Sequence, residues 1–303
     1  MRVLVLGAAA GGGFPQWNCN CLNCRGIRDG TLKATPRTQS SIAVSTDSSN
    51  WALINVSPDI LSQLKRRPQL QPGRKPRDTG ITAVVLVDSQ LDHTLGLGML
   101  REGTRLQVYC TASVRSDLTT GNPLFHILEN YCGVEWHEIN PAGPGFHITG
   151  IEGVEFAAIS VISKPPPYSP HRQDPREDDN IALMITDVLS GRSIFYAPGL
   201  GAVNRRILDC MSQAACLLVD GTFWSDDEMI RLNVGRKHAH EMGHLALSGE
   251  GGMLSYLRDI RGVRKVLIHI NNTNPILNEN APQRREVETA GIEVAYDGME
   301  IVL

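Results

Sequence analysis

The strongest constraint on this chain is a pattern that recurs along its length. Short runs dense in valine, isoleucine and leucine stop at glycine, proline, serine or aspartate. "RVLVLG", "SIAVST", "WALINVS", "ITAVVLV", "LQVYC", "VEFAAISVI", "IALMIT", "SIFYA", "ACLLVDG" and "VRKVLIHI" all have this form. Near-continuous apolar runs of that length read as strands buried on both faces. Helical patterns are expected at residues 58–67, 93–101, 111–119, 203–212, 252–261 and 282–290, with Asp59 and Thr111 where helix starts are commonly capped. Buried strands beside covering helices imply an α/β plan.

The chain has 303 residues, 42% hydrophobic and 20% charged, enough for a sizeable core. It shows no internal repeat, low-complexity tract or clean change in composition, so a single domain over 1–303 is expected. Two segments interrupt the pattern and read as loops. "KRRPQLQPGRKPRDTG" (65–80) has six basic residues and three prolines, and "KPPPYSPHRQDPREDD" (164–179) has five prolines among mixed charges. Long loops of this kind serve as solvated surface, as lids or as binding elements. The basic one could attract an acidic substrate.

A formal net charge of −3 gives no sign of a nucleic-acid binder or a generally basic membrane-surface protein. No apolar stretch approaches the roughly 20 residues that span a bilayer. The opening "MRVLVLGAAAGGG" is too short and glycine-broken for a secretory signal, so a cytoplasmic location is expected.

The chemistry concentrates in a few places. Cys19, Cys21 and Cys24 in "NCNCLNC" are three thiols within six residues, expected on a loop. They fit a structural, sulfur-rich zinc site better than three crowded free thiols, with a fourth ligand from elsewhere. Cys110, Cys132, Cys210 and Cys216 are scattered and read as small hydrophobes. "GAAAGGG" makes a weak dinucleotide fingerprint, because Pro15 and the cysteines stand where its helix would begin. Its glycines are better explained by a tight turn or a close backbone approach.

Polar residues also follow three apolar strands: Asp88 to His93 after "ITAVVLV", Asp220 after "ACLLV", and His269 within "VRKVLIHINNTNP". Side chains just past the carboxyl ends of strands in an α/β sheet converge on a ligand-binding crevice. "RKHAHEMGHLAL" holds His238, His240 and His244 and contains H-E-x-x-H literally. Gly243 inside the motif favours a site-lining loop or helix start over a zincin helix.

With these segments assembled, the chain resembles the metallo-β-lactamase superfamily, and within it the branch that serves pyrroloquinoline quinone (PQQ) biosynthesis. The markers are "GGGFPQWNCNCLNC", "DSQLDHTLGL", "FYAPGLG", "LLVDGTFW", "MGHLALSG" and "VLIHINNTNP". The resemblance implies an αββα four-layer sandwich with a metal site at one edge of the two sheets. The superfamily's H-x-H-x-D-H reads here Asp88-Ser89-Gln90-Leu91-Asp92-His93, without its two leading histidines. The usual bridging aspartate falls at Pro198, and the last histidine is matched by His269.

What this resemblance leaves is Asp92, His93 and His269. Two imidazoles and one carboxylate are the set used by non-heme Fe(II) oxygenases. This fits the activity that the resemblance implies, iron- and O₂-dependent hydroxylation of the tyrosine ring of a peptide-derived PQQ precursor. Asp88, Gln90, Asp220 and His171 are expected to touch either the metal ligands from behind or the substrate. The resemblance also implies a structural zinc at Cys19, Cys21 and Cys24. Related phosphodiesterases complete that site with a histidine where this chain has Asn272, so its fourth ligand is left open. Two other functions compete: a single-zinc hydrolase acting on the precursor, and a soluble carrier helping PQQ or its precursor to the periplasm. Other PQQ-pathway proteins are candidate partners, and the reading leaves room for a homodimer.

Overall fold

The computed structural model describes residues 1–303. Its strands are β1 (Arg2–Gly7), β2 (Ser41–Ser45), β3 (Trp51–Ile54), β4 (Ile81–Val85), β5 (Leu106–Cys110), β6 (Val134–Glu138), β7 (Val154–Ser160), β8 (Ile181–Asp187), β9 (Ser193–Ala197), β10 (Cys216–Asp220), β11 (Arg264–Ile268), β12 (Ile292–Val294) and β13 (Glu300–Val302). One sheet runs β13-β1-β2-β3-β4-β5-β6 and the other β12-β11-β10-β9-β8-β7. The runs β3 to β6 and β9 to β12 are parallel. The strands foreseen from the apolar runs are all present, some shorter by a few residues. Those not foreseen, β6, β12 and β13, are edge strands. β6 reads "VEWHE" and the other two are three residues long, so none carries a near-continuous apolar run.

Alternation along each strand sends successive side chains to two different cores. Val3 and Val5 of β1 meet Ile194, Leu218 and Val266 between the sheets. Leu4 and Leu6 point the other way, onto Ile60, Val114 and Leu128 of helices 60–65, 112–116 and 124–128. On the second sheet, Leu217 and Val219 face Ile207, Leu254 and Val287 of helices 205–213, 253–259 and 282–289. Helix, sheet, sheet and helix thus stack in four layers, which is the metallo-β-lactamase fold.

Local expectations hold unevenly. Thr111 caps its helix by accepting the Val114 N–H at 3.2 Å. Asp59 makes no cap bond; its Oδ2 accepts instead from the backbone and side chain of Gln39, both at 3.0 Å. The cysteine cluster is not wholly on a loop. Leu22–Arg28 is a helix, with Cys21 at its N-cap and Cys24 inside its first turn.

The carboxyl ends of β4, β10 and β11 open on one edge of the sandwich. The glycine run reaches the same place, because Ala9 bridges to Gln39 and Ile270. A Cβ on Gly11 would sit 3.3 Å from Asp92 Oδ2, so this glycine serves a close approach to the loop after β4.

Candidate metal centre

The loop leaving β4 enters a short helix at Leu91, which places Asp92 and His93 in its first turn. His93 is 2% exposed, and its Nδ1 lies 2.8 Å from both oxygens of Asp88. That contact keeps the Nδ1 proton on the Asp88 side and turns Nε2 inward. Nε2 is buried and has no hydrogen-bond partner. It stands 4.0 Å from Asp92 Oδ2, which is itself 3.2 Å from His269 Nε2. Donor atoms of Asp92, His93 and His269 all lie within 4.8 Å of one another.

His269 follows β11 with φ +59°, a left-handed backbone that a non-glycine residue adopts at a cost. Thr222 holds it there. Thr222 Oγ1 is 2.9 Å from His269 Nδ1 and donates to Asp220 Oδ1 at 2.6 Å. The Nδ1 proton of His269 therefore points to the hydroxyl, and its Nε2 is left as the inward donor. Both imidazoles are tied back through Nδ1, the usual arrangement behind histidine metal ligands.

Asp220 is fully buried at the end of β10. Its Oδ2 accepts from Leu200 N at 2.8 Å and from His244 Nδ1 at 2.7 Å. The His244 ring stacks on His269 at 5.3 Å. Burial alone would lower the pKa of His244, but the Asp220 carboxylate outweighs it and raises the value. In the same way Asp88 and Asp92 outweigh the burial of His93 and push it up to about 9. Against its own burial, Asp92 is held below the ordinary carboxylate range by the His93 and His269 charges.

Asp88, Asp92, His93, Thr222, His244 and His269 line a cavity of about 240 Å³, shared with Gly11, Gln90, Met242 and Phe223, while Asp220 lies behind it. The Gln90 amide is anchored at 3.0 Å to the Lys164 carbonyl on the proline-rich loop. The structure does not bring His171 of that loop to the cavity. It is buried against Asp179, with Nε2 to Oδ1 at 2.5 Å, and 3.9 Å from Asp117. The basic loop is also elsewhere. Lys75 and Arg77 line a larger groove of about 750 Å³ at the amino ends of β4 and β5, away from the metal-binding edge.

The sequence does not single out Thr222, and it shows His244 only as part of a segment expected to be a site-lining loop or helix start. His244 carried weight only inside the H-E-x-x-H match. That match does not make a zincin helix: residues 240–242 form one 3₁₀ turn ended by Gly243 at φ +89°. His240 is on the surface while His244 turns into the cavity.

The thiols form a second centre. Cys19, Cys21 and Cys24 bring their sulfurs within 4.8 Å of one another. The Asn272 amide tip reaches all three, at 3.1, 3.7 and 3.3 Å. Burial and the neighbouring thiols push Cys21 up to about 12. Cys19, partly buried, is held below the ordinary thiol value by hydrogen bonds from Cys21, Cys24 and Asn272. Neighbouring thiols pushed in opposite directions are what convergent sulfurs give, and a dication among them would favour the thiolate form of each.

The sequence matches the beta-lactamase superfamily domain over residues 50–270. It is 58% identical to coenzyme PQQ synthesis protein B of Methylococcus capsulatus and 55% identical to that of Nitrosococcus oceani, each over 100% of both chains. Among solved structures it is similar to Zn²⁺-bound PqqB from Methylobacterium extorquens, with a TM-score of 0.91 and 37% identity over 100% of both chains. A diphosphatase of the PhnP family, 19% identical with a TM-score of 0.67 over 99% of this chain and 97% of its own, shares the fold. With identity at this level from end to end, the chain belongs to the coenzyme PQQ synthesis protein B family of the beta-lactamase superfamily.

Proposed function

We propose that this protein acts in PQQ biosynthesis as a mononuclear non-heme iron(II) oxygenase, hydroxylating the tyrosine ring of a peptide-derived precursor. One observation carries the reading. The orphaned Nε2 of His93 shares a pocket with His269 Nε2 and the Asp92 carboxylate, while each imidazole is fixed from behind. Asp92, His93 and His269 would hold the metal. When bound, iron(II) supplies open positions for O₂ and for a substrate oxygen.

The chain's own groups supply the rest. Asp88 orients His93, and the Thr222–Asp220 pair orients His269. His244 stands at the cavity wall, its pKa raised by the Asp220 carboxylate behind it, and can hold or release a proton beside the substrate. Gln90 faces the same cavity as a neutral contact. Ring hydroxylation inserts one oxygen atom of O₂ and releases the other as water, which draws two electrons and two protons from a reductant of the ascorbate class. At the thiol cluster we assign a structural zinc held by Cys19, Cys21 and Cys24, with Asn272 as its fourth neighbour. Rotation of the Asn272 amide would present its carbonyl oxygen there.

The zinc in the Methylobacterium extorquens relative favours a second reading, a hydrolase that works with one zinc. Metal-free protein reconstituted with Fe(II) or Zn(II), with O₂ uptake followed on a tyrosine-derived substrate, separates the two. Iron-dependent O₂ consumption and an oxygenated product are expected. Turnover with zinc under anaerobic conditions would overturn the oxygenase in favour of the hydrolase, and tight binding without turnover would favour a carrier.

A further inference from the structure

The segment that delivers Met242 and His244 to the cavity begins at another cluster, which shares no residue with the cavity. Asp226, His238 and His240 bring a carboxylate and two imidazole nitrogens within 4.8 Å of one another. His240 Nδ1 is 2.9 Å from each oxygen of Asp226, and His238 Nδ1 is 3.0 Å from Oδ2. The two rings stack with centroids 5.4 Å apart. The backbone fixes this register: Ala239 N donates to the Asp226 carbonyl at 2.8 Å, and His240 N donates to Asp226 Oδ1 at 3.0 Å.

Two features distinguish the cluster from ordinary surface ion pairing. His238 Nδ1 is shielded from solvent yet has no hydrogen-bond partner, although it sits beside a carboxylate oxygen. A nitrogen so placed is not aligned to donate to the carboxylate, and a cation shared with that oxygen would give it a partner. The spacings also match a coordination edge, since N and O donors about 2.1 Å from an ion are about 3.0–3.4 Å apart. Two imidazoles with one carboxylate form the borderline set that suits zinc, cobalt or nickel over calcium or magnesium. The His240 side chain is 65% exposed, so an ion can enter from solution and water can complete its shell.

We propose that Asp226, His238 and His240 form a surface site for a borderline divalent cation such as Zn²⁺, and that filling it pins residues 238–244 as the wall of the cavity. The wall needs such a pin. It is a single 3₁₀ turn closed by Gly243, held on its far side by the Ser163 hydroxyl donating to the Gly243 carbonyl at 2.9 Å.

Equilibrium dialysis of the intact protein, with its other metal sites already filled, against free Zn²⁺ tests the site. The parent is expected to bind one zinc per chain more than the H238Q/H240Q variant, and D226N to lose the same equivalent. Equal binding by parent and variants would overturn the proposal. Neither histidine ring is buried, so if the double variant does not fold, H238Q and H240Q are read singly in the same way. Hydrogen exchange tests the pin: zinc should protect the amides of 238–244 in the parent and not in the variants. Binding without protection would overturn that part.

Discussion

Replacing Asp88 with asparagine tests how the metal-binding edge is built. In the parent, Asp88 offers two oxygens to two donors, the His93 Nδ1–H at 2.8 Å and the Gln90 N–H at 2.9 Å to Oδ1. Asparagine keeps one carbonyl oxygen, and its NH₂ cannot accept from either donor. With that carbonyl at the Oδ1 position both donors keep an acceptor, but the NH₂ at the Oδ2 position then faces the His93 Nδ1–H donor to donor in a buried site, a loss of about 1–3 kcal/mol. Removing a group that orients a histidine ligand lowers metal affinity by roughly 10–100-fold, or about 1.4–2.7 kcal/mol. Both routes converge on about 2 kcal/mol, roughly a thirtyfold loss of affinity. The assay is competition between the protein and a chromophoric chelator for Co(II) or Fe(II), with the thiol site already filled by zinc. A Kd within twofold of the parent would refute the reasoning. It would mean that packing alone, around a ring 2% exposed, fixes His93.

Other expectations follow from the same distances. His171→Ala should leave metal affinity unchanged in the chelator competition while lowering urea stability by about 3 kcal/mol, because it strands the buried Asp179 carboxylate. Cys21→Ser should lose the structural zinc in elemental analysis and melt at a lower temperature; stability equal to the parent would remove the structural-zinc assignment. Glu228 is fully buried, and burial raises its carboxyl from 4.5 to about 7. A raised carboxyl contributes stability below its unfolded value that is lost as pH rises through the folded one. Relative to Glu228→Gln, the parent should therefore lose up to about 3 kcal/mol between pH 4.5 and 7.5, measured by urea unfolding at both ends. The amide can still accept from Trp224 N and donate to Thr273 Oγ1, which keeps the variant a fair reference.

Much of this architecture could be read from the chain because central strands are apolar on both faces, as Val3 and Val5 against Leu4 and Leu6 illustrate. Edge strands such as β6 have one face toward water, and their sequences lose that signal. The polar residues after β4, β10 and β11 were legible as a group because topology alone sends strand ends to a common edge. His244 and Thr222 were not, although both lie within quoted segments, "MGHLALSG" and "LLVDGTFW", because nothing in those segments shows what either side chain touches. Their positions depend on a 3₁₀ turn and on a hydroxyl bridge that only the folded chain displays. His171 failed for the opposite reason. A histidine on a proline-rich loop suggests a lid, yet two carboxylates, Asp117 and Asp179, capture it away from the cavity.

The altered motif also accounts for the proposed centre having one metal position and not two. Both oxygens of Asp88 are committed to His93 Nδ1, so the residue at the first histidine position faces a ligand's back and not an ion. Gln90, at the second, has its amide drawn off to Lys164, and Pro198, at the bridging position, has no donor at all. A binuclear hydrolase needs all three of these places to hold a bridging hydroxide between two ions. Here the space beside Asp92, His93 and His269 is bordered by His244, tied from behind to the buried Asp220, so that an imidazole stands where a second cation would need ligands. A single ion next to a proton-holding imidazole is suited to substrates whose reacting oxygen must gain or lose a proton as it binds, and a phenol is such a group.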